Sequence, residues 1–258
     1  MTTPQLTVSQ TPEQTASALV DALVALLAER PAAHVGLTGG SMGVAVAQEV
    51  GRRWTTGEAD FSGVDWWFSD ERFLPAGDAE RNALQVRRAL GDAPLADDRL
   101  HVVGAVAPDA EPDRLGAEDA AQEYAVAMEE VPQADGLPVF DLLVLGVGPD
   151  AHVASLFPGH PDSGHTDRWT TAVEDSPKPP PLRVSFTMPV LRAADEVWLV
   201  ATGEGKAAAL ASASEAFAGP EVPLPGDGAP LEVPAAWAVG RHGTRWFLDR
   251  AAASRLEG

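Results

Sequence analysis

The stretch FDLLVLGVGPDAHVASLFPG, residues 140–159, decides the fold. Its apolar run from Phe140 to Leu145 reads as a strand covered on both faces, as strands of parallel sheets are. A Gly-x-Gly-Pro turn follows, then Asp150 and His152 two residues apart, then the small apolar run Val153 to Phe157. Open α/β sheets hold ligands just outside the carboxyl ends of their strands. A carboxylate and an imidazole at such an end are therefore a candidate acid/base pair.

Working outward, the same alternation of buried strand and helix repeats along the chain. Leu6 to Ser9 reads as a short strand, and Thr11-Pro12-Glu13-Gln14 carries the N-cap, N1 proline and N3 glutamine of a helix start. Apolar residues at Ala18, Leu19, Ala22, Leu23, Leu26 and Leu27 then keep helical period, giving a helix over 12–30 that Pro31 ends. Strands are expected at Val35–Leu37, Val64–Phe68, His101–Val103, Arg183–Met188, Glu196–Ala201 and Thr244–Leu248. Helices are expected at 42–53, from Asn82 to Leu90, at 115–130, at 204–217 and at 249–255. Residues 158–181 read as irregular, and 219–234, with five prolines and three glycines, read as loop. The pattern predicts a Rossmann-like, three-layer α/β fold: one domain over residues 1–258, built on a largely parallel open sheet with helices on both faces.

Composition narrows the function. The 258 residues are 45% hydrophobic and 22% charged, within the ordinary globular range, with a formal charge of −20. That charge argues against nucleic acid or an anionic membrane as a partner. It also requires that any anionic substrate meet a local concentration of the few basic residues. Cysteine is absent, which removes disulfides, thiolate catalysis and thiolate metal sites. The N-terminus MTTPQLTVSQ lacks the basic and apolar regions of a secretory signal, and no apolar run approaches the ~20 residues of a membrane span. A cytoplasmic protein, a monomer or small homo-oligomer, is expected.

Four strand ends carry unusual residues, and a parallel sheet brings such ends to one edge. Thr38-Gly39-Gly40-Ser41 joins a strand to a helix, a junction that offers backbone N–H groups and a positive helix end to a phosphate; Gly39, Gly40 and Ser41 are its candidate binders. The glycines alternatively serve a tight turn, and neither an ATP nor a dinucleotide fingerprint is present. Asp70-Glu71-Arg72 follows the strand VDWWF, where Arg72 is suited to an oxyanion or phosphate and the bland alternative is a solvated turn. Lys206 opens a helix after TGEG, an unfavourable place for a cation without an anionic ligand. Arg183 is a third candidate cation, with a surface strand arginine as the plain alternative. Of six histidines only His152 stands beside an acid in a glycine-rich strand-end turn. A structural histidine and a metal ligand are the alternatives, and no second histidine at ligand spacing supports the metal.

With these residues laid out, the chain resembles the 6-phosphogluconolactonases over most of its length. The resemblance rests on LTGGS at 37–41, SDER at 69–72 with the later Asn82, LGVGPDAHVASLFPG at 145–159, SPKPPPLRVSF at 176–186 and TGEGK at 202–206. It implies hydrolysis of 6-phospho-D-glucono-1,5-lactone, a sugar-phosphate lactone, to 6-phosphogluconate in the pentose phosphate pathway, with no cofactor and no metal. It further implies His152 as the general base and Arg72 and Lys206 at the anionic substrate; the residues themselves suit Asp150 to orient His152 and leave Asp70 and Asn82 as supporting candidates. Two positions depart from the family pattern: Ala151 replaces a usual Gly, and Met42-Gly43 a common Thr-Pro. The added methyl at Ala151 asks more of the turn's backbone than of its chemistry. The rival within the same fold, glucosamine-6-phosphate deaminase, carries an acid shortly after its histidine, where this chain has Leu156-Phe157-Pro158-Gly159. A non-catalytic sugar-phosphate sensor is the reading from another class.

Overall fold

The computed structural model describes residues 4–256. In chain order the elements are β1 (Gln5–Ser9), α1 (Pro12–Glu29), β2 (Ala33–Leu37), α2 (Gly40–Thr55), β3 (Val64–Phe68), β4 (Asp70–Arg72), α3 (Asn82–Leu90), α4 (Arg114–Ala127), β5 (Gln133–Ala134), β6 (Leu137–Pro138) and β7 (Leu142–Gly146). They continue with β8 (Thr170–Val173), β9 (Arg183–Phe186), α5 (Met188–Ala193), β10 (Glu196–Ala201), α6 (Ala207–Glu215), α7 (Pro234–Trp237) and β11 (Gly243–Asp249). Six strands form the central sheet in the order β1-β11-β10-β7-β2-β3, every pair parallel.

Alternate residues of each central strand feed two apolar layers, as period-two side chains must. Leu142, Val144, Trp198, Val200 and Phe247 pack with the buried stripes of α1, α2 and α3. Leu143, Leu145, Val197, Leu199, Trp246 and Leu248 pack on the other face with α4, α5 and α6. Gly36 lets β2 and β7 close on one another, because a β-carbon there would run into the Leu143 side chain. Thr11 caps α1 as its sequence signature predicts, accepting the Gln14 N–H at 3.3 Å.

The topology sets the position of a ligand crevice. From β2 the chain passes through α2, on one face, outward to β3; from β7 it passes over the opposite face and outward to β10. Adjacent strands whose connections diverge in this way leave a gap at their carboxyl ends, the topological switch point. The loops 38–41 and 147–152 face each other across that gap.

The structure departs from the sequence reading in several places. Asp70–Arg72 is not a turn but the edge of a second sheet, β4-β9-β8, antiparallel throughout, in which Arg72 lies opposite Arg183. Strand β8 sits inside the stretch expected to be irregular, and β9 ends at Phe186, giving way to α5 where Pro189 occupies the first helical turn. No strand forms at His101–Val103: a single bridge ties Leu100 to Trp66, after which the Arg81 guanidinium takes the carbonyls of Val103 and Gly104 and draws the chain away from the sheet edge. Strand β11 runs to Asp249, and residues 250–255 make turns rather than the helix expected at 249–255, with the Asp249 carboxylate accepting the Ala252 N–H. Asp141 lies outside β7 because its carboxylate accepts the His34 N–H and pairs with Arg30. Helix α4 ends at Ala127 and continues as a 3-10 turn to Glu130, and a similar turn over Glu204–Lys206 precedes α6.

Candidate active site

A cavity of about 260 Å³ opens at the switch point. Thr38, Gly39, Gly40, Ser41 and Met42 line one wall, Gly146 to Pro149 and His152 another. Asp70, Arg72 and Asn82 come from the β4 side, Lys178 and Arg183 from the proline loop and β9, and Lys206 from the turn after β10. All four strand-end segments singled out in the sequence therefore meet at one place.

The wall expected to receive a phosphate is the start of α2. Gly39 is its N-cap, no side chain caps the first N–H groups, and the first turn holds no acid. An uncapped helix start facing a cavity presents donors and positive potential to an anion. Gly40 has φ +73°, the left-handed region that glycine enters without strain, and Gly39 packs so closely on the Asn82 amide that a β-carbon would collide with it. Lys206, at the N-terminal end of α6, adds a half-buried ammonium; burial first and the neighbouring Lys178 second push its pKa down, against the pull of Asp150. Among the described residues it has no hydrogen-bond or ion-pair partner. Its turn is tied down by buried Asp249, which accepts the Gly203 N–H at 3.0 and 3.1 Å.

The opposite wall carries the pair. His152 Nδ1 lies 2.5 Å from Asp150 Oδ1, and the Lys178 ammonium lies 3.1 Å from the same oxygen and 3.0 Å from Nδ1. A lysine ammonium offers only donors, so the arrangement that satisfies all three groups has Nδ1–H donating to Asp150 and Lys178 donating to the same carboxylate. Burial works against the ionised Asp150, but the hydrogen bonds and charges of His152 and Lys178 outweigh it and hold the carboxyl well below its usual range. The stability Asp150 adds is accordingly complete above the ordinary aspartate value, about pH 4, and erodes only in stronger acid. The His152 ring rests against Phe157, centroids 4.7 Å apart.

Glycine makes the pair fit. A β-carbon on Gly148 would run into His152 Nδ1 and Asp150 Oδ1. Gly148→Ala is expected to separate the pair and lower kcat about 100-fold, the scale of a 1 Å misplacement, while the purified protein keeps its far-UV spectrum. Steady-state kinetics with an unchanged kcat would rule this out. Ala151, by contrast, adopts φ +67° despite its methyl group, so the turn accepts the departure noted in the sequence at some strain. Ala151→Gly should leave stability unchanged or raise it by up to about 1 kcal/mol, relief of strain being offset by the added freedom of the unfolded chain; urea denaturation measures this.

Arg72 and Arg183 have different surroundings. Arg72 lines the cavity; its Nη1 donates to the Glu80 carbonyl at 2.5 Å and to Asn82 Oδ1 at 2.9 Å, while its Nε is buried and has no partner among the described residues. Arg183 is 5% exposed, and its guanidinium grips three successive carbonyls, Lys178, Pro179 and Pro180, at 3.0 to 3.2 Å. Its remaining nitrogen lies 3.5 Å from Ser155 Oγ and 4.0 Å from Asp70 Oδ2, and Ser155 donates to Asp70 at 2.7 Å. Most of Arg183's donors are thus taken up in shaping the proline loop. Asn82 bridges the two sides, donating to the Asp70 carbonyl at 2.9 Å.

Two residues escaped the sequence reading. Lys178 sits in SPKPPP, and only its charge amid prolines marked it. Glu71 is fully buried, accepting the N–H groups of Arg72, Asn82 and Ala83 at 2.7 to 2.9 Å, with Arg81 Nε at 3.8 Å. Burial pushes its pKa up, yet all four contacts are donors that call for the carboxylate. Among the described residues, the side chains close enough to share a metal ion are His165, Asp167 and Asp227, on the surface and outside the cavity lining.

An open parallel sheet with a switch-point crevice, lined by an uncapped helix start and His152 of an Asp-His pair, defines the α/β class of the fold and its site. Residues 7–244 match the family described as glucosamine-6-phosphate isomerases/6-phosphogluconolactonase, and the chain belongs to that family. Within it, the chain is 45% identical over 262 residues to the 6-phosphogluconolactonase of Streptomyces coelicolor, covering 98% of this chain and 95% of that one. The 6-phosphogluconolactonase of Trypanosoma brucei has the same fold, with a TM-score of 0.83 at 23% identity over 98% of this chain and 99% of that one. A monomeric glucosamine-6-phosphate deaminase shares the fold too, with a TM-score of 0.74 at 17% identity over 97% and 99%. The architecture alone therefore does not separate the two reactions. No helix among the described residues is long and apolar enough to cross a membrane.

Proposed function

We propose that the protein hydrolyses 6-phospho-D-glucono-1,5-lactone to 6-phosphogluconate, the lactone step of the oxidative pentose phosphate pathway, in the cytoplasm. The observation that carries the reading is His152 on the cavity wall, its Nδ1 engaged by the Asp150 carboxylate and its Nε2 without a partner among the described residues, in a chain 45% identical to a 6-phosphogluconolactonase. The 6-phosphate lies on the Thr38–Ser41 helix start with Lys206. His152 Nε2 takes a proton from the water that attacks C1. Arg72, whose side chain lines the cavity, stabilises the oxyanion of the tetrahedral intermediate, with Asp70 and Asn82 holding that wall. His152 then returns the proton to the departing ring oxygen. Lactones open readily, so one base and correct positioning supply what the reaction lacks.

Leu156 and Phe157, 0% and 1% exposed, argue against the deaminase. Ring opening and deamination call for a further proton carrier near the histidine, and these side chains are apolar core. The test offers the purified protein fresh 6-phosphogluconolactone, its unphosphorylated counterpart, and glucosamine 6-phosphate. Saturable hydrolysis of the first, at a much higher kcat/KM than the second and with no ammonia from the third, is expected. Ammonia release with no lactone hydrolysis would transfer the chain to the deaminases.

A further inference from the structure

We propose that Lys178 is a positioning residue of this reaction: its ammonium, presented by a clamped proline loop, holds the Asp150 carboxylate on the imidazole and keeps His152 in its neutral, proton-accepting form. The inference rests on the lactonase reading above and adds to it a residue that sets the pH range of the base.

The loop that carries Lys178 is anchored on every side. Arg183 grips the carbonyls of Lys178, Pro179 and Pro180, Ser176 Oγ donates to the Lys178 carbonyl at 2.9 Å, and the Ser176 N–H reaches the Pro181 carbonyl at 3.1 Å. A lysine on such a backbone gives up little additional freedom when its head group is fixed. That head group lies 3.1 Å from Asp150 Oδ1, 3.0 Å from His152 Nδ1 and 6.0 Å from the Phe157 ring centroid. It cannot donate to Nδ1 while Nδ1–H is directed at Asp150, so its hydrogen bond goes to the carboxylate and its charge faces the ring.

The charge has a definite consequence. Alone, Asp150 would stabilise an imidazolium and make His152 protonated, and useless as a base, at a higher pH. A fixed cation at 3 Å opposes that protonation. The other charged groups around the ring are Lys206 on the turn after β10, Arg72 and Asp70 on β4, and Arg183 on β9. Arg183 and Asp70 face each other at 4.0 Å, and Arg72 is bound to Asn82 and Glu80. Lys206 interacts with both Asp150 and Lys178. Lys178 is the cation in contact with the pair itself, so its removal leaves Asp150 insufficiently balanced.

The test compares wild type, Lys178→Met and Lys178→Arg. Methionine keeps much of the side chain's length without charge. In Lys178→Met the acid limb of kcat/KM should move to higher pH by about one unit, a shift at the low end for a charge at this distance because the lysine is partly solvated, and Lys178→Arg should restore most of it. The same change should be seen without turnover, in the NMR titration of the His152 ring in substrate-free protein, the resonance being identified by its loss in His152→Asn. A limb and a titration midpoint that stay in place, whether or not KM rises, would overturn the proposal and leave Lys178 as a substrate contact or a structural residue. The NMR arm reads Lys178 even if the lactone is not the substrate, whereas absence of lactone hydrolysis in wild type defeats the functional reading alone.

Discussion

His152→Ala is expected to lower kcat for the phosphorylated lactone by about 10²- to 10⁴-fold, the range over which a positioned general base acts, with KM changed little. In the proposed reaction the base acts on water, and the phosphate lies against the other wall of the cavity, lined by the start of α2 and Lys206. Binding and proton transfer are thus assigned to different residues, and the kinetics should separate them. Asp150→Asn provides the companion measurement. An amide cannot reproduce the charge that orients the Nδ1–H tautomer, and it places an NH₂ donor within reach of the Lys178 ammonium. Its kcat should fall too, by less than that of His152→Ala. The comparison must be made after subtracting spontaneous hydrolysis, which sets a floor under the apparent activity of each variant. If His152→Ala retains wild-type kcat, another group activates the water.

The largest effect on stability is expected at Glu71. Its carboxylate is the acceptor for three backbone N–H groups, two of them buried at the start of helix α3, and it is the charge partner of buried Arg81. Glu71→Ala leaves those donors without an acceptor and Arg81 without its counter-charge, at a cost of about 3–5 kcal/mol. For a chain of this size that corresponds to a fall in Tm of about 10 °C. Glu71→Gln keeps one acceptor oxygen but turns an NH₂ group toward donors, so its loss should be smaller and still clear. Two of the three residues whose N–H groups Glu71 holds, Arg72 and Asn82, face the cavity, so the surviving folded fraction should also show reduced kcat. Calorimetry and urea denaturation measure the first effect, and activity per folded molecule the second. A Tm within 2 °C of wild type, about 1 kcal/mol or less, would contradict this account of Glu71.

Much of this was legible in the sequence, for identifiable reasons. The central strands announce themselves because burial on both faces demands apolar runs such as VDWWF and EVWLVA, and their glycine- and charge-bearing ends follow directly. That rule brought Gly39, Gly40, Ser41, Asp70, Arg72, Asp150, His152 and Lys206 to one cavity or its margin. It fails where structure comes from distant contacts. TTAV at 170–173 pairs as β8 only because β9 returns beside it, and nothing local in a proline- and glycine-rich stretch marks it. His101–Val103 looks like a strand until Arg81, some twenty residues earlier in the chain, captures its carbonyls. The sequence also cannot show that Arg183 spends most of its donors on the loop bearing Lys178, nor that Lys178 then reaches His152, since both depend on how residues 176–183 fold back on themselves. Glu71 stood in plain view between two residues with apparent roles, and only its complete burial identifies it as the pin that joins β4 to α3.

The most direct test of the central claim is the initial rate of acid release when purified protein meets freshly generated 6-phosphogluconolactone near neutral pH, followed by pH-stat with the protein-free rate subtracted. A rate proportional to protein, saturable in lactone and far above the spontaneous one is expected. A rate equal to the protein-free control at every lactone concentration would contradict that claim.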